Sequence, residues 1–321
     1  MAVISRSAFA TEPTEPFVNQ ASRLFTFPFW RKFLDYVMPK WFLDSVGFTV
    51  LPKGPMDFFR IQTERVIGER ATTGTKPADF LQLLLDAQDR DSAAVIDSHR
   101  DFDLSNKRVN SRHLTIDEVF AQSVLFFSVG YETSSQVLMY TVYCLARNPD
   151  VQEKLATTIE SANIGNLDEI QGLPYLDAVI SESMRLYNPV LRMERRASED
   201  FMLGGIPIKK GMIIGIPVWA LHHSEECFPD PWKFDPDRFL PENRDNIIKS
   251  TYLPFGDGPR DCIGRRFAIA EIKVLLAHIL PRFRFKICKR TKLQFFTTGR
   301  PLLGPMEVIV EVDRRTATFH Y

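Results

Sequence analysis

One of the four cysteines stands in company that the other three lack. Cys262 lies in the run Phe255-Gly256-Asp257-Gly258-Pro259-Arg260-Asp261-Cys262-Ile263-Gly264, between two glycines and behind an aromatic residue and an arginine. An apolar helical run, residues 267–280, follows at once. Gly258 and Gly264 let the backbone come close to the sulfur. Backbone N–H groups of such a loop, with the positive end of the next helix, favour a thiolate over a thiol. Arg260 adds a cation for an anionic group of whatever the sulfur binds. A thiolate caged by amides beside an apolar surface is one way a protein ligates a haem iron axially. A lone cysteine in a turn is ordinarily a small buried hydrophobe. Here the five fixed positions of F-x-x-G-x-R-x-C-x-G should recur by chance in well under ~1 in 1,000 chains of this size.

A second stretch with chemical potential is Val129-Gly130-Tyr131-Glu132-Thr133-Ser134. It sits in the middle of the longest helical pattern, residues 114–147, which is apolar nearly all round and is expected to run through a core. Glycine inside a helix costs roughly 1 kcal/mol against alanine, and a buried acid costs more unless partnered. Two readings follow. The helix is kinked, with Thr133 bonding back to its own carbonyls, or Gly130 makes a groove for a flat cofactor while Glu132 and Thr133 deliver protons. A third stretch, YLDAVISESMRLYNP, sets Glu182 and Arg185 on one helical face. His222 and His223 are adjacent and lack a carboxylate at useful spacing, so they are not metal-ligand candidates.

The elements that must position these residues follow from periodicity and punctuation. Helices are expected over 17–25, 57–70, 79–87, 149–159, 173–187 and 219–223, besides the long one and the run after Cys262. Thr115 and Glu118 form a capping-box signal at the start of the long helix. Residues 25–55 alternate aromatic clusters with Pro28, Pro39 and Pro52, and read as a long apolar connection: core under a loop, or a flap touching ligand or membrane. Residues 88–113 read as a polar loop. Short strands are expected at 201–203, 206–208 and 212–216, with Gly204-Gly205 and Lys210-Gly211 as hairpin signals. Residues 229–249 are proline-rich and irregular, and the tail over 283–312 reads as strands around Thr297-Thr298-Gly299.

Composition is that of a globular protein, 45% hydrophobic and 25% charged, with a formal net charge of +0. No basic stripe points to nucleic acid. The 26 phenylalanines suit a protein that surrounds large apolar ligands. The cysteines form no CxxC pair, which gives no support to zinc or to a disulfide framework. Residues 1–10 carry Arg6 and lack a long apolar core, so no secretory leader is expected there. Nowhere do about 18 apolar residues run together.

The Cys262 loop resembles the haem-binding loop of the cytochrome P450 family at every defining position. The Gly130 stretch resembles that family's oxygen-binding motif, A/G-G-x-D/E-T-T/S. Val129 departs from it, and a branched side chain beside the distal face of the iron would narrow the pocket. YLDAVISESMRLYNP resembles the family's K helix. Phe234-Asp235-Pro236-Asp237-Arg238-Phe239 resembles its PERF element, with Asp237 in place of glutamate. The resemblance runs through essentially the whole chain and is best in the animal microsomal branch that oxidises drugs and plant toxins.

It implies a mainly α fold with small β-sheets (α+β), in a single domain over residues 1–321. Cys262 would be the axial ligand of haem b, and Arg195 would reach a haem propionate unless it is simply one of the surface run Arg192, Arg195, Arg196. Val129, Val190, Leu191 and Thr298 would face substrate. Glu182, Arg185 and Arg238 would form a buried structural network. The activity implied is insertion of one oxygen atom of O2 into an apolar xenobiotic, steroid or lipid-like molecule. Electrons would come from NADPH through a flavoprotein reductase, with cytochrome b5 as a further partner, on the cytoplasmic face of the endoplasmic reticulum membrane.

Residue 1 falls near the family's helix E. The family's membrane anchor, first helices, much of its N-terminal sheet and a W-x-x-x-R haem contact have no counterpart here, so the expectation is an incomplete domain. Two rivals remain. Relatives that rearrange peroxides without outside electrons typically lose the acid–threonine pair, which this chain keeps. The other is a partial chain that holds haem poorly or not at all.

Overall fold

A computed structural model describes residues 5–7, 15–24, 29–49, 51–89, 114–162, 166–293 and 308–315. The fold is mainly helical, with three two-stranded antiparallel sheets among the described residues. The chain divides into two compact units, Met1–Tyr131 and Glu132–Tyr321.

In the first unit, α1 (Glu15–Leu24), α2 (Phe29–Val37), α3 (Lys40–Ser45), α4 (Lys53–Thr73) and α5 (Phe80–Asp89) precede the first half of α6 (Ile116–Arg147). Residues 25–55, expected as a long apolar connection, thus hold two helices. Pro39 and Pro52 stand immediately before helix starts, where a missing N–H costs nothing. The core is aromatic: Phe17 meets Phe59 and Phe127 edge-on at 5.1 and 4.8 Å, with Leu81 and Val119 buried beside them. Edge-to-face rings add about 0.5–1.5 kcal/mol per pair beyond the area they bury. Buried Arg70 of α4 grips Asp79, which in turn accepts the Gln82 N–H at 2.8 Å and so holds the start of α5. At the head of α6 the capping box is present: Glu118 N–H donates to Thr115 Oγ1 at 3.2 Å, and Thr115 N–H to Glu118 Oε2 at 2.8 Å.

The second unit takes up the rest of α6, then α7 (Pro149–Ser161), α8 (Leu167–Gln171) and α9 (Pro174–Leu186). Next come β1 (Met193–Arg196), β2 (Phe201–Leu203), β3 (Ile206–Ile208), β4 (Ile213–Ile216) and α10 (Val218–His222). After three 3-10 turns follow α11 (Arg265–Ile279), β5 (Phe283–Lys286) and β6 (Glu311–Arg314). Its core joins Leu145, Leu155, Leu176, Ile180, Ile272 and Leu276. The β2–β3 hairpin turns at Gly204-Gly205 as expected, and β1 pairs with β4 so that Arg195 lies opposite Ile214. Gln152 plays the part of a strand neighbour, accepting the Phe285 N–H at 2.8 Å and donating to its carbonyl at 3.0 Å. The short α8, not foreseen from periodicity, exists through an Asn166–Glu169 capping box. The Thr297-Thr298-Gly299 turn and most of the 88–113 stretch lie outside the described residues.

Candidate active site

The loop ahead of α11 is built by its glycines and by Asp257. Gly256 and Gly258 take φ of 76° and 79°, which L side chains rarely adopt. Asp257 accepts the Gly258 N–H at 2.8 Å and starts the turn Gly258–Arg260. Cys262 N–H donates to Phe255 O at 2.9 Å, closing the loop, and the Arg265 guanidinium lies over the Phe255 ring at 5.8 Å. The result is an exposed Cys262 thiol. Cys144 is buried, and Cys227 and Cys288 are half-buried. All four are free of disulfides.

The glycines divide the work differently from the expectation. A Cβ on Gly264 would stand 3.9 Å from Cys262 Sγ, an ordinary contact, and its φ of −83° suits any residue. Gly264 is not demanded by close approach to the sulfur. Gly256 is demanded twice over, since a Cβ there would come within 3.1 Å of Met193 Sδ. That contact also orients β1. Met193 and Arg195 share a face of the strand, because side chains alternate, so Arg195 is carried on the face turned toward the Cys262 loop. Its guanidinium donates to the Glu194 carbonyl at 3.0 Å and pairs with no carboxylate among the described residues. Exposed Arg260 likewise has no such partner there.

On α6, Gln136 Nε2 donates to Glu132 Oε1 at 2.9 Å, and both residues are at least half-buried. Thr133 is half-buried beside them. The helix is not covered all round: in the first unit Leu125 and Val129 are 51% and 41% exposed, a stripe that includes the departing valine, with Gly130 half-buried next to it. Val190 and Leu191 are half-buried between α9 and β1, their backbone held by the Asn188 side chain and by Trp219 N–H. Thr298 lies outside the described residues.

Glu182 and Arg185 are fully buried and form a two-pronged pair, with N···O distances of 2.7 and 2.8 Å. Arg185 also donates to the His222 carbonyl at 2.7 Å, and Glu182 accepts the Asp235 N–H at 2.9 Å. Arg238 reaches Glu182 at 3.6 Å. Burial pushes the Glu182 carboxyl up, and Arg185 pulls against it. This network fastens α9 to the irregular segment before the Cys262 loop.

Two residues of this neighbourhood, Met193 and Glu271, were not singled out from sequence, and His222 was considered only as a metal ligand. Met193 needed the fold to bring it to Gly256. His222 accepts the Leu253 N–H at 2.9 Å through Nε2, tying α10 to the same loop. Glu271, a lone acid in the apolar run of α11, carried the signal that drew attention to Glu132.

The donors suit a haem: an exposed thiol in a glycine turn, and two arginines that have no carboxylate partner among the described residues and could hold propionates. A model of the cytochrome P450 family matches residues 12–309. Cytochrome P450 3A56 of Fundulus heteroclitus is 36% identical over 327 residues, covering 96% of this chain. Cytochrome P450 3A29 of Sus scrofa is 34% identical over 97% of the chain, and cytochrome P450 3A11 of Mus musculus 35% over 97%. The chain belongs to the cytochrome P450 family, a family of haem proteins. It spans 62% of the length of these curated relatives. No helix among the described residues is long and apolar enough to cross a membrane.

Proposed function

We propose that this chain serves a haem-thiolate monooxygenase that inserts one atom of O2 into an apolar small molecule, a xenobiotic, steroid or lipid-like compound. The observation that carries the reading is the exposed Cys262 sulfur in its two-glycine turn, in a chain matched by the cytochrome P450 family model along most of its length. When bound, the haem supplies reductive activation of O2, with electrons from NADPH through a flavoprotein reductase and cytochrome b5 as an accessory donor.

The chain's own residues do the rest. Cys262 would ligate the iron, and Arg195 and Arg260 would hold the propionates. Val190 and Leu191 would give substrate an apolar surface. Glu132, steadied by Gln136, and Thr133 hold protons at the oxygen-facing side of α6. The working place is the cytoplasmic face of the endoplasmic reticulum membrane.

The test is spectroscopic. The reduced, CO-bound protein is expected to show the strongly red-shifted haem band of thiolate ligation. Cys262→Ser should abolish it, while Cys144→Ser and Cys288→Ser should keep it. Survival of the band in Cys262→Ser sinks the assignment. Haem-free protein under every loading condition favours the partial-chain alternative.

A further inference from the structure

A thioether is pressed against the Cys262 loop. Met193 of β1 is half-buried, and its Sδ stands 3.1 Å from the place a Cβ on Gly256 would take, so the sulfur lies over the bare Cα of that glycine. Both sides of the contact are fixed. Gly256 is held by its φ of 76° and by its N–H, which donates to Leu253 O at 3.2 Å. Met193 is held by its strand, where it lies opposite Ile216. One residue before Gly256, the Phe255 carbonyl accepts the Cys262 N–H at 2.9 Å. A push at Gly256 is therefore delivered to Cys262 through one peptide unit and one hydrogen bond. The same push on β1 is carried to Arg195, two residues along the same face of the strand. A flexible, polarizable thioether fills such an irregular gap well. It is also the side chain that peroxide converts into a polar, chiral sulfoxide.

We propose that Met193 is a peroxide-oxidation site whose sulfoxide loosens the Cys262 loop and the Arg195 strand together, and so releases haem. The inference rests on the monooxygenase reading, because O2 that is reduced by two electrons and not used leaves as hydrogen peroxide. In the step, a sulfur lone pair attacks one peroxide oxygen. The O–O bond breaks and the S–O bond forms. The departing hydroxide takes the proton left on the transferred oxygen and becomes water. Sulfur loses two electrons and the peroxide gains them. The new oxygen and its polarity are incompatible with a sulfur lying on the Gly256 backbone, so the contact opens.

The test exposes haem-loaded wild type, Met193→Leu and Met193→Gln to hydrogen peroxide. It follows peptide masses, the CO-bound spectrum and the rate of tryptic cleavage after Arg260. Leucine keeps the apolar bulk and cannot be oxidised, while glutamine imitates the sulfoxide without peroxide. Met202 and Met212, 63% and 47% exposed, report that the dose was sufficient. The wild type should gain one oxygen atom at Met193, lose the red-shifted band in step with that gain, and be cut faster after Arg260. Met193→Leu should keep both the band and the slow cleavage while Met202 and Met212 are oxidised. Met193→Gln should be cut quickly before any peroxide is added. Methionine sulfoxide reductase and fresh haem should return the wild-type band. Equal loss of the band in wild type and Met193→Leu, which direct attack on haem would give, overturns the inference. So does an unmodified Met193 once Met202 and Met212 are fully oxidised. A wild type that never shows the band overturns the monooxygenase reading instead. Faster cleavage of Met193→Gln than of Met193→Leu then still supports the role of Met193, and equal cleavage overturns it.

Discussion

At the scale of single residues, two of the three glycines of the functional loop, Gly256 and Gly264, differ in what they are for. Gly256 combines a left-handed backbone with a 3.1 Å approach to Met193 Sδ, whereas Gly264 has neither. Gly256→Ala should therefore cost about 1–2 kcal/mol from the backbone alone, and Gly264→Ala much less, when both are followed by urea unfolding. Equal losses would show the Met193 contact and the turn to be unimportant. His222 gives a second residue-level expectation. Burial, and then the Arg185 charge, hold its pKa down to about 4, against about 6.5 in an unfolded chain. The unfolded state therefore binds a proton that the folded state refuses. Stability from this group is complete above about pH 6.5 and drains away as pH falls toward 4. Between pH 7 and pH 5 the loss should be about 2 kcal/mol, and His222→Gln should lack it. An unchanged acid slope in that variant would contradict the assignment.

Among elements, the buried network decides how α9 and the segment before the Cys262 loop stay together. Removing Arg185 strands the fully buried Glu182 carboxylate without its two-pronged partner. Arg185→Met should cost roughly 3–5 kcal/mol, the penalty of an uncompensated buried charge. Arg238 is further away, at 3.6 Å, and 15% exposed, with one bond to the Asp230 carbonyl. Arg238→Gln should cost only about 1–2 kcal/mol. Denaturant midpoints rank the two, and a larger loss for Arg238 would overturn this division of labour.

For the molecule as a whole, the surface of the first unit stands out. Around α2 and α3, Trp41 is 73% exposed, Trp30 and Phe33 each 52%, and Val46 59%. Exposed apolar patches of a few hundred Å² bind other apolar matter. The protein should bind an environment-sensitive apolar dye in its folded state. Phe33→Ser with Trp41→Ser should reduce that signal while leaving the urea midpoint nearly unchanged, because exposed side chains contribute within about 0.5 kcal/mol. Dye binding that persists in the double variant would place the sticky surface elsewhere.

What the amino-acid order determined by itself is everything that depends on neighbours along the chain. The Cys262 turn, the Thr115–Glu118 cap, the Gly204-Gly205 hairpin and the ranges of the long helices follow from backbone preference and spacing. These forces act within a few residues and leave a readable pattern. The tertiary structure alone decided which partners meet across tens of residues of intervening chain. It set Met193 against Gly256 and His222 against Leu253. It also turned the proline-rich 25–55 stretch into helices, because proline ends one helix and begins the next without saying which it is doing. Local periodicity reports which face of an element is apolar. It does not say what that face will find, because the choice of partner is made by packing and by the cost of leaving a buried polar atom alone.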